Sequence, residues 1–270
     1  MFRLMCVCLC VVGVSVSAGV PASLPTPPLA DRVALLDLNT YRGSFDAAFA
    51  VFDLDQDVWY KWEKETCARR FSPCSTFKIF NTMAGLDAGV VTPQTVFAWD
   101  GSKLPFASWM HDHDLSSAFK NSVVWYYQKV AQGVGEARMQ TFIDQVGYGN
   151  RDLSGGIDRF WLGSSLQISV AEQVIFLKRL YRNELPFSVE AMRTVRTLMT
   201  DVVDTTSTLS GKTGSHFPDG VWRAGWYVGH LQTRDTRLVF AMHLDGEGAS
   251  GAKARDMVIR IFRDLDLMPQ

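Results

Sequence analysis

The sequence has no excess of charge of either sign and no block of basic residues. Lys and Arg total 27 against 28 Asp and Glu, a balance that gives no electrostatic footprint for nucleic acid or an anionic membrane. Internal repeats are also lacking. A chain of 270 residues that is 47% hydrophobic can bury a large core as one or two domains. We therefore expect a small-molecule partner and no nucleic acid.

Long hydrophobic runs are lacking as well. The apolar run at residues 4–16 is shorter than the about 20 residues that span a bilayer. It follows a basic Arg3 and ends in small residues of the kind that signal peptidase requires. These features predict a cleaved signal peptide over residues 1–18 and export without a stable membrane anchor. An uncleaved anchor is the alternative.

Cysteine is scarce, and three of the five cysteines lie inside the predicted signal peptide. The mature chain would keep Cys67 and Cys74. Two cysteines seven residues apart in an exported protein could form a disulfide, which would close a small loop and add modest stability. Two separate thiols are the alternative, and the sequence leaves both open.

Strand patterns stand near both ends of the chain. Residues 45–62 predict two strands around the polar turn Asp53–Asp57, and residues 225–244 predict a hairpin. Before the first strand, four of the ten prolines fall within residues 21–28. Because proline favours extended backbone, we interpret residues 19–39 as an extended leader.

Helical spacing of apolar residues fills the middle and the C-terminal end of the chain. It predicts a buried helix over residues 73–88, helices and loops over about 92–200, and an amphipathic helix over residues 252–267. Strands from both ends can form one sheet that helices cover. We therefore predict an α/β (α+β) fold with one domain over residues 40–268. In it, an antiparallel sheet built from the N- and C-terminal segments is flanked by helices and carries an inserted all-helical region.

The segment FSPCSTFKIF, residues 71–80, places a serine and a lysine at a helix start. Ser72, which precedes a proline, predicts the N-cap. Ser75 and Lys78 would then lie on one face of the helix, about 5–6 Å apart at their Cβ atoms. A serine hydroxyl needs a base to become a nucleophile, and a lysine is a base only when a desolvating pocket keeps it uncharged. The pattern alone is weak, because Ser117-Ala118-Phe119-Lys120 matches it too.

Three further triplets follow along the chain. They are Ser122-Val123-Val124, Tyr148-Gly149-Asn150 and Lys212-Thr213-Gly214, the last expected on an edge strand. Together with Ser75 and Lys78 they resemble the penicillin-recognising serine enzymes, which share S-x-x-K and K-T-G elements. Trp161-Leu162 narrows the resemblance to the class D, or oxacillinase-type, serine β-lactamases. The resemblance covers roughly residues 40–265.

The resemblance implies a periplasmic enzyme that hydrolyses the amide of β-lactam antibiotics and confers resistance to them. It implies an acyl-enzyme on Ser75 and a general base formed when carbon dioxide or bicarbonate carboxylates Lys78, with no other cofactor. Val124 would help to keep the site dry. Trp161 would donate its indole N–H to the carbamate on Lys78.

The resemblance also assigns a proton relay and an oxyanion hole. Ser122 would pass a proton to the leaving ring nitrogen, with Lys212 nearby. The backbone N–H groups of Ser75 and Ser215 would form the oxyanion hole. Many family members carry an aromatic residue where this chain has Ser215, so its side-chain contacts with substrate are left open.

Substrate anchoring follows from the carboxylate that β-lactams carry, which suits a bidentate guanidinium. The resemblance places Arg255 at this carboxylate, assisted by Thr213 and next to Gly214. A solvated arginine at a helix start is the alternative. Tyr148 and Asn150 are expected to support the site as parts of their motif. The preferred β-lactam subclass and the oligomeric state are left open.

Other functions fit parts of the sequence less well. His111 and His113 form an H-x-H pattern, but Leu115 stands where a metallo-β-lactamase needs an aspartate, so we predict no metal site. A cell-wall transpeptidase has the same nucleophile and is disfavoured by Val124 and Trp161. A β-lactam sensor domain would stay acylated and would need membrane spans and a signalling portion. We therefore expect a hydrolase.

Overall fold

One antiparallel sheet of six strands organises the computed structural model, which describes residues 28–270. The strands of the chain are β1 (Asp46–Asp53), β2 (Val58–Trp62), β3 (Arg70–Phe71), β4 (Ile168–Ser169), β5 (Thr200–Val203), β6 (Ser207–His216), β7 (Ala224–Thr233) and β8 (Arg237–Asp245). The six-stranded sheet has the order β2-β1-β8-β7-β6-β5, and β3 pairs with β4 in a small separate sheet. The N-terminal and C-terminal segments therefore meet inside the main sheet, where β1 pairs with β8.

Helices precede, separate and follow these strands. They are α1 (Leu29–Ala34), α2 (Asn39–Arg42), α3 (Lys64–Ala68), α4 (Lys78–Asp87), α5 (Leu115–Lys120), α6 (Val124–Val134), α7 (Glu136–Val146), α8 (Val170–Tyr181), α9 (Val189–Leu198) and α10 (Gly251–Asp264). Short 3-10 segments lie at Cys74–Phe77, Ala107–Trp109 and Pro218–Gly220. Helices α5 to α9 form the helical region between the two groups of main-sheet strands, so the predicted fold is confirmed.

Two hydrophobic cores lie on opposite faces of the main sheet. Alternate residues of a strand point to opposite faces, and in β1 Ala50 and Phe52 enter the core under α4, α6 and α8. Phe49 and Val51 enter the other core, where α10 covers the sheet. This double burial explains why β1 is almost continuously apolar rather than alternating. The larger core holds the 3-10 segment and α4, which carry Ser75 and Lys78.

The predicted helix over residues 73–88 is present in a different form. It begins as the 3-10 turn Cys74–Phe77 and continues as α4. Ser72 is not its N-cap, so that prediction is wrong. The reason is that the Ser72 hydroxyl is engaged elsewhere, since it donates to the carbonyl of Trp161 at 2.9 Å and accepts from the N–H of Gly163 at 2.8 Å.

The leader also differs from the prediction where it is described. The proposed signal peptide over residues 1–18 and residues 19–27 of the leader lie outside the described residues. From residue 28 onward the leader is not extended, because α1 and α2 fold against α10 and bury Val33 and Leu38 in the second core. Between residues 28 and 270, no helix is both long and apolar enough to cross a membrane.

The cysteine pair agrees with the second alternative that the sequence left open, two separate thiols. Cys67 and Cys74 are both free and buried, so the structure does not contain the disulfide that the sequence left open. Each thiol has its own surroundings. The Sγ of Cys67 donates to the carbonyl of Trp62 at 3.1 Å, whereas the Sγ of Cys74 lies 3.7 Å from the hydroxyl of Ser72. The two thiols therefore have different hydrogen-bond partners.

Candidate active site

Ser75 and Lys78 form a hydrogen-bonded pair at the start of α4. The Nζ atom of Lys78 lies 2.7 Å from the Oγ atom of Ser75, and the lysine side chain is fully buried. Burial, and secondarily the charge of Lys212, hold the pKa of Lys78 well below its usual value. Burial therefore favours the uncharged form of the amine, and an uncharged amine at this distance can accept the proton of the hydroxyl.

Aromatic side chains supply the burial of this lysine. Phe77 stacks on Trp161 and on Phe80, with ring centroids 5.6 and 5.1 Å apart. The ring of Tyr127, on α6, lies 5.5 Å from the Nζ atom of Lys78. Burial in this aromatic-rich core removes the solvation of the charged amine, which is the physical cause of the lowered pKa.

A second lysine–serine pair lies beside the first. The Nζ atom of Lys212, on β6, donates to the Oγ atom of Ser122 and to the carbonyl of Thr213, each at 3.0 Å. Burial lowers the pKa of Lys212 to about 7, and the charge of Asp201 opposes this shift. Lys212 can therefore exchange a proton at neutral pH, and Ser122 lies in position to share that proton.

The backbone at the two serines adopts an uncommon conformation. Ser122 has a φ of 57°, and Cys74, directly before Ser75, has a φ of 48°. Residues other than glycine rarely occupy this left-handed region, and such positions recur at active sites. The Cys74 thiol does not compete with Ser75 as a nucleophile, because burial raises its pKa to about 11 and keeps it protonated.

The strand that carries Lys212, Thr213 and Gly214 passes close to the start of α4. A Cβ atom on Gly214 would lie 2.9 Å from the carbonyl oxygen of Pro73, so only glycine permits this approach. Strand β6 is not at the edge of the main sheet, because β5 lies outside it. However, β5 pairs only as far as Ser210, so the following residues of β6 form a local edge that faces the helix.

A cavity of about 550 Å³ opens over these groups. The predicted site residues that line it are Ser75, Ser122, Val124, Thr213, Gly214 and Ser215, together with Cys74. Lys78 and Lys212 are buried beneath its wall. Phe106 and Trp222 stack across its mouth with ring centroids 6.5 Å apart. These two aromatic residues were not identified from the sequence, because they come from loops that carry no motif.

Trp161, Tyr148 and Asn150 lie behind the cavity rather than in its wall. Trp161 is fully buried, and its Nε1–H group has no acceptor within the described part of the chain. The Nδ2 group of Asn150 donates to the carbonyl of Ser165 at 2.8 Å, which joins the turn at Tyr148 to the segment before β4. Tyr148 packs edge-on against Phe77. The last two residues therefore support the segments around the site.

Arg255 lies in an adjoining cavity of about 520 Å³, which is lined also by Lys212 and Thr213. Its Nε and Nη2 atoms donate to Asp201 at 2.6 and 3.0 Å. Thr213 lines both cavities, so the guanidinium and the serine pair lie on two sides of one strand residue. The partner of Arg255, Asp201, was not identified from the sequence either.

The remaining patterns have structural roles. The Nε2 and Nδ1 atoms of His113 lie 3.0 Å from the carbonyl of Ser108 and 3.0 Å from the hydroxyl of Ser117, so this histidine braces a loop. Ser117, of the second S-x-x-K match, forms a capping box with Asp114 at the start of α5. Over residues 28–270 there is no group of three side chains that could hold a metal ion.

Comparisons with known proteins agree with this geometry. A family model described as the penicillin binding protein transpeptidase domain matches residues 37–265. The probable β-lactamase YbxI of Bacillus subtilis (strain 168) is 40% identical over 224 residues, which are 83% of this chain and 82% of that protein. A solved class D β-lactamase from Bacillus subtilis has a TM-score of 0.84 at 38% identity and covers 88% of this chain and 99% of its own. The chain belongs to the class D β-lactamases.

Sensor proteins of the same transpeptidase family are related to this class D β-lactamase. The regulatory protein BlaR1 of Bacillus licheniformis is 34% identical over 237 residues, which are 86% of this chain but 39% of BlaR1. The solved C-terminal domain of that penicillin receptor has a TM-score of 0.82 at 32% identity. The fold is thus shared by class D β-lactamases and by a penicillin receptor.

Ser72→Ala tests whether the Ser72 hydroxyl holds the segment that carries Trp161. Alanine leaves the carbonyl of Trp161 and the N–H of Gly163 without their partner, so the free energy of unfolding should fall by about 1–2 kcal/mol in urea titrations. Ser44→Ala is the matched control, because the hydroxyl of this exposed serine makes no hydrogen bond within residues 28–270, and it should change stability by less than about 0.5 kcal/mol. Equal losses in the two variants would contradict the assignment.

Proposed function

We propose that this class D β-lactamase hydrolyses β-lactam antibiotics through an acyl-enzyme on Ser75, and so confers resistance to them. The observation that carries the proposal is the contact of 2.7 Å between the Ser75 hydroxyl and the buried Lys78 amine, whose pKa is lowered by burial. A nucleophile and a base in hydrogen-bond contact are the minimum that acyl transfer requires. The cavity above them admits a small molecule.

The general base in this proposal is Lys78 in its carboxylated form. The uncharged amine attacks the carbon of carbon dioxide, a nitrogen–carbon bond forms, and one N–H proton leaves to solvent, which gives a carbamate with one negative charge. The reaction needs an uncharged amine, and burial favours that form because it lowers the pKa of Lys78. The carbamate also needs donors, and the Nε1–H group of Trp161 is buried without an acceptor among residues 28–270. Val124 lines the cavity with an apolar side chain and would limit water.

The proposed cycle has two halves that use the same base. Carboxylated Lys78 takes the Ser75 proton while Oγ attacks the β-lactam carbonyl, and the ring amide bond breaks after the tetrahedral intermediate. Ser122 passes a proton to the leaving nitrogen and regains one from Lys212, which lies 3.0 Å away. The protonated carbamate then passes its proton back to Lys212 by way of Ser122, which restores both groups. Carboxylated Lys78 next removes a proton from water, the water oxygen attacks the ester, and the Oγ atom of Ser75 takes that proton as the product leaves.

Binding would rest on groups of β6 and α10. The backbone N–H groups of Ser75 and Ser215 would stabilise the oxyanion. This arrangement is supported by the close approach of Gly214 to the residues before Ser75. The Oγ atom of Ser215 accepts from the N–H of Gly251 at 2.9 Å, so its side chain is tied to α10. We assign the substrate carboxylate to Arg255 and Thr213, which line adjoining cavities.

Ser75→Ala tests the nucleophile. This variant should lose at least about 1,000-fold in kcat for a chromogenic β-lactam, because alanine removes the hydroxyl that forms the acyl-enzyme. Ser44→Ala, at an exposed serine outside the cavity, should keep the rate of the wild type. Retention of the wild-type rate by Ser75→Ala would refute the assignment.

The wild-type time course separates a hydrolase from a sensor, the second function that the relatives suggest. A hydrolase turns over many substrate molecules for each protein molecule, whereas a sensor releases one equivalent of product and stops. Steady turnover that continues well beyond one equivalent is the expected result. A single stoichiometric burst would favour the sensor.

Activity should fall as pH falls, because protonation of Lys78 removes the amine that captures carbon dioxide. The sign follows from the lowered pKa of Lys78: the neutral form prevails above that pKa and is lost below it. Added bicarbonate should restore activity at acidic pH by mass action, and Trp161→Phe, which lacks the N–H donor, should need more of it. Rates that are independent of bicarbonate at every pH would refute carboxylation and leave the serine mechanism standing.

We also propose that the protein is exported to the periplasm with removal of residues 1–18. The support is the basic start, the short apolar run and the small residues that follow it. The intact mass of protein from the periplasmic fraction should correspond to a chain that begins at Gly19. A mass that includes residues 1–18 would contradict cleavage.

A further inference from the structure

Three elements of the fold converge on the guanidinium of Arg255. Asp201 on β5 accepts from the Nε atom of Arg255 at 2.6 Å and from Nη2 at 3.0 Å. The hydroxyl of Tyr227, on β7, donates to the same carboxylate at 2.8 Å. Asp201 thus receives three hydrogen bonds from two other elements, which is more than a surface ion pair needs.

The backbone is shaped to allow this convergence. The register between β5 and β6 shifts between Thr200 and Val202, so Asp201 stands at a bulge, a feature that re-aims a side chain. Tyr227 is 1% exposed and must pass β6 to reach Asp201. A Cβ atom on Gly211 of β6 would lie 2.5–2.6 Å from the ring and hydroxyl of Tyr227. Glycine at this position therefore makes room for the phenol.

Asp201 does not use every donor of the Arg255 guanidinium, since the Nη1 atom makes no hydrogen bond to it. Asp201 accepts from Nε and Nη2, whereas the Nη1 atom makes no hydrogen bond within residues 28–270 and lies 3.8 Å from the carboxylate of Asp256, a side chain that is 75% exposed. The start of α10 abuts the strand that carries Thr213, because a Cβ atom on Gly251 would lie 2.8 Å from the Cβ of Thr213. Arg255 and Thr213 therefore line the same cavity, and the guanidinium keeps Nη1 as a donor that Asp201 does not use.

We propose that Asp201, held by Tyr227, is a positioning residue that fixes Arg255 for the carboxylate of the substrate. This inference rests on the proposed function, in which Arg255 binds that carboxylate. A free arginine side chain has many rotamers, and ordering them on binding opposes affinity. Because Asp201 orders the side chain before substrate arrives, the ordering is not repeated at each binding event. Lys212 and Lys120 line the same cavity and offset the charge of Asp201.

The test uses a penicillin and its methyl ester, which differ only in the carboxylate. Asp201→Asn keeps the shape of the side chain but removes its charge, and should raise KM for the acid about tenfold while kcat changes less than about twofold. Tyr227→Phe should raise KM for the acid by about threefold, since Asp201 loses one of its three donors. With the ester, both variants should match the wild type.

Asp256→Asn is the matched control, because it removes another carboxylate beside Arg255 that makes no bidentate contact. It should leave KM for both substrates within about twofold of the wild type. Thermal melting of each variant identifies loss of folding. If Asp201→Asn does not fold, Tyr227→Phe carries the test alone, because its phenyl ring still fills the same space.

Arg255→Ala separates failure of this inference from failure of the proposed function. If Arg255→Ala leaves KM for the acid unchanged, substrate anchoring by Arg255 is wrong and the inference falls with it. If Arg255→Ala raises KM but neither Asp201→Asn nor Tyr227→Phe does, anchoring stands and positioning by Asp201 is overturned. A lower KM in Asp201→Asn would show that Asp201 competes with the substrate carboxylate, which also overturns the inference.

Discussion

The structure depends on a lysine amine that is buried in hydrogen-bond contact with a serine hydroxyl, where burial disfavours the charged form of the amine. Two buried lysines, Lys78 and Lys212, lie in one site, and the charge of each disfavours the charge of the other. Conversion of Lys78 into an anion would remove this repulsion. A carbamate on Lys78 would turn repulsion into attraction and favour a protonated Lys212, which is the form that can supply a proton through Ser122.

The fold keeps this site closed from several directions at once. The aromatic rings around Phe77 exclude water from below, and β6 closes the side because Gly214 has no side chain to hold it away. Cys74 and Ser122 have left-handed backbone conformations, and Ser75 and Ser122 line the same cavity. Strain at these positions can persist because the large core around α4 is rigid.

Much of this arrangement could be predicted from the sequence, because motif order and apolar periodicity are local signals. The strands at both ends, the helical region between them and the contact of Ser75 with Lys78 follow from such signals. The role of Ser72 could not be predicted, since a serine before a proline is a good N-cap and only the tertiary fold brings Trp161 to it. The pairing of Asp201 with Arg255 depends on a bulge and on Gly211, which carry no local pattern. The free state of Cys67 and Cys74 likewise could not be predicted, because it depends on the direction in which each side chain points.

The central claim is that buried Lys78 captures carbon dioxide, and carbon-13 NMR of the protein in labelled bicarbonate tests it most directly. The account predicts one carbamate resonance at neutral pH that is absent from Lys78→Ala and weakens as the pH is lowered. A spectrum in which the wild type shows no resonance beyond that of Lys78→Ala would contradict it.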